Sequence, residues 1–240
     1  MTTQSISVIV TCEHGGNRIP SPYGTLFRSA IAQQELQSHR GYDPGALAIA
    51  KILAKTFAAN IFHSTVSRLL VDLNRCLDSP QLFSEFVPES VEQRSEILRQ
   101  HYTPYRRQVT DEVAAKISEE GRVVHLSIHT FTGQFRGEER DFDIGVLYDP
   151  KRCSERRFAE RTLESLRLRR FAAFANRPYL GTDDGLTTTL RQTFAADQYI
   201  GIEIEINNRI ASLSEATQTD WAKRIGSACM DSLLDAASER

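Results

Sequence analysis

The sequence lacks several features that would place it in a specialised class of proteins. Its 240 residues contain no run of about 18 apolar residues, so no transmembrane helix is expected. The formal net charge of −2 gives no overall basic bias toward nucleic acid or an anionic membrane. The first ten residues, MTTQSISVIV, contain no basic segment of the kind that opens a secretory signal. We therefore expect a cytoplasmic protein that binds neither nucleic acid nor membrane.

Cysteine is scarce and shows no metal-binding or disulfide spacing. The four cysteines are Cys12, Cys76, Cys153 and Cys229, and no two of them form a CxxC pair. In a cytoplasmic protein they are expected to be free thiols. Cys12 precedes His14 by two residues, which would place both side chains on one face of a strand. A cysteine hydrolase that uses this pair is therefore one alternative.

Candidate strands and helices alternate along the whole chain. The strands are predicted at 5–12, 60–66, 68–72, 122–128, 142–147 and 199–206. Helices are predicted between them, one of which would begin with Asp43 as N-cap and Pro44 in its first turn. This alternation predicts an α/β protein: a single domain over residues 1–240, with three αβα layers and a mainly parallel, mixed sheet. In such sheets ligands bind at the carboxyl ends of the strands.

Polar side chains follow or end most of the predicted strands. They are His14, the group Asp72, Asn74 and Arg75, His129, and the pair Glu203 and Glu205. Because the carboxyl ends of parallel strands meet at one edge of a sheet, these side chains are expected to share one crevice. His125 lies deeper in its strand and is expected to be structural or to support a neighbouring ligand residue.

Two histidines and a carboxylate, with one position left for water, are the ligands of a catalytic zinc site. His14 and His129 supply the histidines. The spacing leaves the acidic or third ligand open among Asp43, His39, Glu13 and Asp72, and Asp43 has the competing role of helix N-cap. No HExxH motif is present.

Glu203 and Glu205 share one face of an otherwise apolar strand. A buried carboxylate needs a cation, a metal or a proton, so either residue could be a general base or acid. A solvated edge strand is the alternative. Arg75 and Arg191 are candidates for holding a substrate carboxylate, because a guanidinium matches it with two parallel hydrogen bonds; for Arg191, a surface helix residue is the alternative.

Five segments in a fixed order resemble the N-formylglutamate amidohydrolase family. They are CEHGGNRIP, HRGYDPGAL, SRLLVDLNR, HLSIHTF and GIEIEINNR, and together they extend over residues 7–210. The resemblance implies a phosphorylase/hydrolase-like α/β fold similar to that of zinc carboxypeptidases. It also implies zinc-dependent amide cleavage, of which the conversion of N-formyl-L-glutamate to formate and L-glutamate in histidine degradation is the family's reaction.

The resemblance also implies a metal site with one Zn²⁺ per chain. His14 and His129 match the two histidine ligands of the family and its wider relatives. Asp43 fits best as the acidic ligand because it lies between them in the chain. The glutamate of the last strand acts as general base, for which Glu205 is the first choice and Glu203 the second.

The substrate residues follow from the same resemblance. Arg75 would hold the carboxylate of a small N-acyl amino acid, and Asn74 and Asn17 would position the substrate or its oxyanion. Amide hydrolysis is implied more strongly than any particular acyl group or amino acid. A different zinc amidase, such as one acting on peptidoglycan, and a non-catalytic small-ligand-binding relative are the alternatives. The oligomeric state is left open.

Overall fold

Six of the eight strands form one mixed sheet in the computed structural model, which describes residues 6–135 and 137–238. Strands β1 (Ile6–Cys12), β2 (Asn60–His63), β3 (Arg122–Phe131), β6 (Ile144–Leu147), β7 (Ala173–Ala175) and β8 (Tyr199–Asn207) are arranged in the order β2-β1-β3-β8-β6-β7. Neighbours from β2 to β8 are parallel, whereas β6 pairs with β8 in the antiparallel sense. Strands β4 (Gln134–Phe135) and β5 (Glu138–Glu139) form a separate hairpin.

Helices cover both faces of the sheet. They are α1 (Ala30–Leu36), α2 (Ala46–Thr56), α3 (Val91–Ile97), α4 (Thr103–Glu120), α5 (Cys153–Leu168), α6 (Leu186–Thr193) and α7 (Glu215–Ser238). Helices α2, α5 and α7 pack on one face, and α4 and α6 contact the sheet from the other. This arrangement confirms the predicted three-layer α/β class. Within residues 6–135 and 137–238, no helix is both long and apolar enough to cross a bilayer.

The two faces of the sheet differ in chemistry. On the face beneath α2, α5 and α7, alternate residues of the central strands β3 and β8 are fully buried and apolar, among them Leu126, Ile128, Ile202 and Ile204. The intervening residues face α4 and α6, and many are polar: Thr11, His125, Ser127, His129, Glu203 and Glu205. The period of two along each strand therefore places all of these polar side chains on one side of the sheet.

The predicted strand over 68–72 is wrong, because the chain forms turns there. The backbone N–H of Leu70 donates to the carbonyl of Ser67 at 3.0 Å, and that of Asp72 donates to Leu82 at 2.9 Å. Leu70 and Val71 are buried in the core beneath the polar face of the sheet. The short apolar run is thus satisfied by packing rather than by strand pairing, which periodicity alone does not distinguish.

The helix predicted to begin at Asp43 begins three residues later. Gly45 occupies the N-cap position of α2 with φ of +88°, a conformation that glycine adopts without strain, and no side chain caps the helix. The Asp43 carboxylate lies beside two histidines instead. A π-helical segment, Leu98–Tyr102, leads from α3 into α4.

Candidate metal centre and active site

His14, Asp43 and His129 lie at the carboxyl ends of the central strands. His14 follows β1, His129 lies near the end of β3, and their ring centroids are 4.9 Å apart. The backbone N–H of Asp43 donates to the carbonyl of His14 at 2.9 Å, which attaches the segment before α2 to the end of β1. One candidate ligand atom from each of the three residues lies within 4.8 Å of the others, and each residue is only 2% exposed.

The Nδ1 atoms of both histidines face the same carboxylate oxygen. Asp43 Oδ2 is 2.8 Å from Nδ1 of His129 and 3.4 Å from Nδ1 of His14. The latter atom is buried and has no hydrogen-bond partner. Two ring nitrogens and one carboxylate oxygen therefore converge on one point inside the protein.

The Nε2 atom of each ring contacts a further carboxylate, a different one for each histidine. His14 Nε2 is 2.7 Å from Asp72 Oδ1, and His129 Nε2 is 2.9 Å from Glu13 Oε2. A carboxylate behind a histidine fixes the tautomer and orientation of a metal-binding ring. Asp72 and Glu13 therefore aim both Nδ1 atoms toward Asp43. Sequence spacing alone leaves these two acids among the candidates for the third ligand.

Glu13 is held as a carboxylate in the interior. The hydroxyl of Tyr105 donates to its Oε1 and the hydroxyl of Ser127 donates to its Oε2, both at 2.9 Å. Burial would raise the pKa of Glu13, but the hydrogen bond and charge of His129 outweigh it and hold the pKa well below its usual value. The carboxylate that supports His129 is thus charged and fully hydrogen-bonded.

Arg68 links the two aspartates of the site, a role that the sequence analysis missed. Its Nη1 is 3.2 Å from Asp43 Oδ1 and its Nη2 is 3.0 Å from Asp72 Oδ2. Burial would raise the pKa of Asp72, but Arg68 and His14 together lower it far below its ordinary range. The spacing of Arg68 and Asp72 in SRLLVD was a weak signal for this pair, and the contact with Asp43 had no local signal.

Glu205 and Glu203 both reach the site from β8, but their surroundings differ. Glu205 pairs in register with His129 across β3 and β8. Burial raises its pKa to about 8, and its Oε2 has no hydrogen-bond partner. Glu203, in contrast, accepts a hydrogen bond on Oε1 from the hydroxyl of Thr187 at 2.5 Å. Of the two carboxylates, Glu205 is the one that pairs with His129 and has a buried oxygen without a partner.

These residues open onto a cavity of about 890 Å³ whose wall includes Asn74 and Arg75. Nη1 of Arg75 donates to the backbone carbonyl of Asp184 at 2.5 Å. Asn74 Oδ1 accepts from the backbone N–H of Leu186 at 2.6 Å, at the start of α6. Its Nδ2 is 3.4 Å from Nε2 of His129. The loop that carries Asn74 and Arg75 is thus fixed against the segment before α6.

Asn17 and Arg191 do not line this cavity. The carboxamide of Asn17 donates to the carbonyl of Leu36 at 3.0 Å, so it caps the end of α1. Arg191 is neither a substrate fork nor a surface residue. Its buried guanidinium pairs with Glu155 at 3.0 Å and donates to the carbonyl of Gly201 at 2.8 Å. Both residues were expected to contact the substrate, and that expectation is wrong because other parts of the protein hold their side chains outside the cavity.

Cys12 does not support the cysteine-hydrolase alternative. Its side chain is fully buried in the apolar core beneath α2, on the opposite face of the sheet from the histidines. Burial and the charge of Glu13 raise the pKa of its thiol well above the usual value. A nucleophilic cysteine requires a stabilised thiolate, and this environment disfavours one.

Comparison with known proteins identifies the family of this chain. Residues 6–211 match the sequence model of the N-formylglutamate amidohydrolase family. The chain belongs to this family. As members of this family hydrolyse amide bonds, the protein is a hydrolase of that class and takes a small-molecule substrate. A search among curated proteins finds no match.

Two solved structures share the architecture. A gene product of Agrobacterium tumefaciens is 31% identical, with a TM-score of 0.82 over 95% of this chain and 91% of that one. N-formylglutamate amidohydrolase from Ralstonia eutropha JMP134 is 16% identical, with a TM-score of 0.71 over 97% of this chain and 93% of that one. At 16% identity the second likeness shows the fold alone.

Proposed function

We propose that this family member is a zinc-dependent enzyme that cleaves the amide of an N-acyl amino acid, with N-formyl-L-glutamate as the first substrate to test. The observation that carries the proposal is the convergence of His14 Nδ1, His129 Nδ1 and Asp43 Oδ2 on one buried point. The unpartnered Nδ1 of His14 supports a metal there, because a buried ring nitrogen is otherwise costly to leave without a partner.

The donor set suits one Zn²⁺ ion. Two imidazole nitrogens and one carboxylate oxygen are the protein ligands of many catalytic zinc sites, and the carboxylates behind both rings match the usual outer support. A bound zinc ion polarises a carbonyl and lowers the pKa of water at its open position. His14, Asp43 and His129 are the residues that would hold it.

Glu205 is the proposed general base. Its free oxygen takes a proton from the attacking water while the water oxygen bonds to the acyl carbon. The carbon–nitrogen bond then breaks as the same carboxyl group returns the proton to the leaving nitrogen, which gives formate and the free amino acid from an N-formyl substrate. Glu205 suits this role because it pairs in register with His129 and its Oε2 is buried without a hydrogen-bond partner.

Arg75 is proposed to pair with the α-carboxylate of the substrate, and Asn74 to orient it. Both line the cavity beside His129 and are fixed by the backbone of the segment before α6. We also propose a cytoplasmic setting in amino-acid catabolism, such as histidine degradation, which the family resemblance implies. That setting is part of the proposal.

The test is formate release from N-formyl-L-glutamate by the zinc-loaded protein. We expect activity that a chelator removes and that Glu205→Gln lowers about 10²- to 10⁴-fold, the usual contribution of a general base. Glu119→Gln, an equal change of charge on an exposed residue of α4, is the matched control and should keep full activity. A zinc-loaded protein that binds N-acyl amino acids without cleaving any would contradict the proposal and support a small-ligand-binding relative.

A further inference from the structure

The wall of the cavity beside Arg75 is acidic. Asp183, Asp184 and Glu203 line it together with Arg75. Asp184 Oδ1 accepts a hydrogen bond from the backbone N–H of Cys76 at 3.0 Å, whereas its Oδ2 is buried without a partner. If Arg75 holds one end of a substrate, the carboxyl groups of the cavity wall would lie near the remaining parts of that substrate.

Positive charge in the cavity is largely neutralised already. Three arginines line it among the described residues. Arg68 is engaged by the two aspartates of the metal centre, as described above. Arg40 lies 2.8 Å from Glu85 and 3.4 Å from Glu35. Arg75 alone of these three has no carboxylate partner, since its Nη1 donates to a backbone carbonyl and its Nε has no partner.

One free guanidinium can neutralise one carboxylate. N-formyl-L-glutamate carries two at neutral pH, because both carboxyl groups titrate well below 7. The described part of the cavity offers the second carboxylate no lysine and no further arginine without a carboxylate partner, and it offers several groups of like charge. Like charges brought together in a partly desolvated site strongly disfavour binding, which is a common basis of discrimination between ligands.

Of the three acidic residues Asp183, Asp184 and Glu203, Glu203 alone belongs to a strand of the sheet. It is 8% exposed, and strand pairing places it between Ser127 of β3 and Leu147 of β6. A Cβ atom built on Gly185 would lie 3.1 Å from Asn74 Oδ1 and 3.2 Å from Glu203 Oε1. Glu203 is therefore close to Asn74, the neighbour of the residue that would hold the α-carboxylate.

We propose that Glu203 determines specificity and that the preferred substrates are N-acyl derivatives of amino acids with a cationic side chain. This inference rests on the proposed amide hydrolysis and deepens it by naming the substrate class. The α-carboxylate pairs with Arg75, and an ammonium or guanidinium group pairs with Glu203. The fixed position of Glu203, held by the Thr187 hydroxyl, makes the pairing selective.

The experiment compares kcat/KM for Nα-formyl-L-lysine, N-formyl-L-glutamine and N-formyl-L-glutamate, measured as formate release by the zinc-loaded enzyme. Glutamine has the shape of glutamate without its charge. We expect the order lysine, glutamine, glutamate, with at least about a tenfold difference between the first and the last. Glu203→Gln should reduce the lysine-to-glutamate ratio at least about tenfold, whereas Glu119→Gln should leave it within about twofold.

The remaining outcomes show whether the specificity inference, the proposed function or both are wrong. A wild-type enzyme that prefers glutamate to glutamine and lysine would overturn the specificity inference and leave the proposed function standing. Loss of activity toward all three substrates in a folded Glu203→Gln variant would make Glu203 the base and overturn its assignment here. No hydrolysis of any of the three by wild type would overturn the proposed function and this inference with it. If Glu203→Gln does not fold, the order of the three substrates in wild type tests the proposed substrate class by itself.

Discussion

His125 and His129 lie on the same face of β3, four residues apart, and both are buried, yet their pKa values are shifted in opposite directions. Nδ1 of His125 is 2.7 Å from the hydroxyl of Tyr199, and its Nε2 is 2.8 Å from the hydroxyl of Thr11. Burial lowers the pKa of His125 to about 4. For His129, burial also acts to lower the pKa, but hydrogen bonds to Asp43 and Glu13 raise it well above the usual value.

The difference shows that the partner decides what a buried histidine does. Hydroxyl groups in the middle of the sheet satisfy a neutral ring and make it structural. Carboxylates at the strand ends favour positive charge at the same place, whether it is a proton or a metal ion. The polar face of this sheet therefore contains two kinds of environment within one strand.

The largest expected effect is that of His129→Gln, and His125→Gln is the comparison. His129→Gln removes a proposed metal ligand and should lower kcat/KM about a thousandfold or more, since metal catalysis contributes several kcal/mol. His125→Gln keeps a hydrogen-bonding side chain in the structural position and should stay within about tenfold of wild type. Formate release from the best N-formyl substrate measures both. Equal losses in the two folded variants would show that the contrast between the histidines is not functional.

A smaller effect is expected from the carboxylate behind His129. Glu13→Gln removes the charge that orients the ring, and such changes typically weaken metal affinity about 10- to 100-fold. Tyr105→Phe removes only one hydrogen bond to the same carboxylate and should have a clearly smaller effect. Competition for zinc against a chelator of known affinity measures the series. An unchanged affinity in Glu13→Gln would argue against the orienting role.

The last predicted effect concerns the pH dependence of stability. His125 stays neutral in the folded protein down to about pH 4 but takes up a proton near pH 6.5 when unfolded. Its contribution is therefore complete above pH 6.5 and is lost as the pH falls toward 4, by roughly 3 kcal/mol in all. The free energy of unfolding in urea, measured on metal-free protein, should fall less steeply over this window in His125→Gln. Parallel curves for the two proteins would contradict the assignment.

Much of the fold could be predicted because the central strands are long and regular in pattern. The runs VVHLSIH and YIGIEIEIN alternate apolar and polar residues, and the structure contains strands β3 and β8 there. The segment Arg68–Asp72 was mispredicted because its apolar residues fill a core without pairing. Asp43 resembles an N-cap in its local sequence, whereas the family resemblance implied a ligand, and its carboxylate lies 2.8 Å from Nδ1 of His129.

The candidate site was predictable where residues end strands and unpredictable where partners are distant in sequence. The meeting of His14, His129 and Glu205 followed from parallel strand ends. The contact of Glu13 with His129 and the bridging position of Arg68 depend on tertiary packing, which has no local signal. Arg191 was misplaced for the same reason, because its partner Glu155 lies 36 residues away.

The most direct test of the central claim is the metal content of the purified protein, measured by plasma mass spectrometry after incubation with zinc and removal of excess ion. We predict about one zinc per chain in wild type and in His125→Gln, as expected for a single set of three protein ligands. The double variant His14→Ala, His129→Ala should contain none. Zinc retained by a folded double variant, or absent from wild type, would contradict the claim that these strand ends form a metal centre.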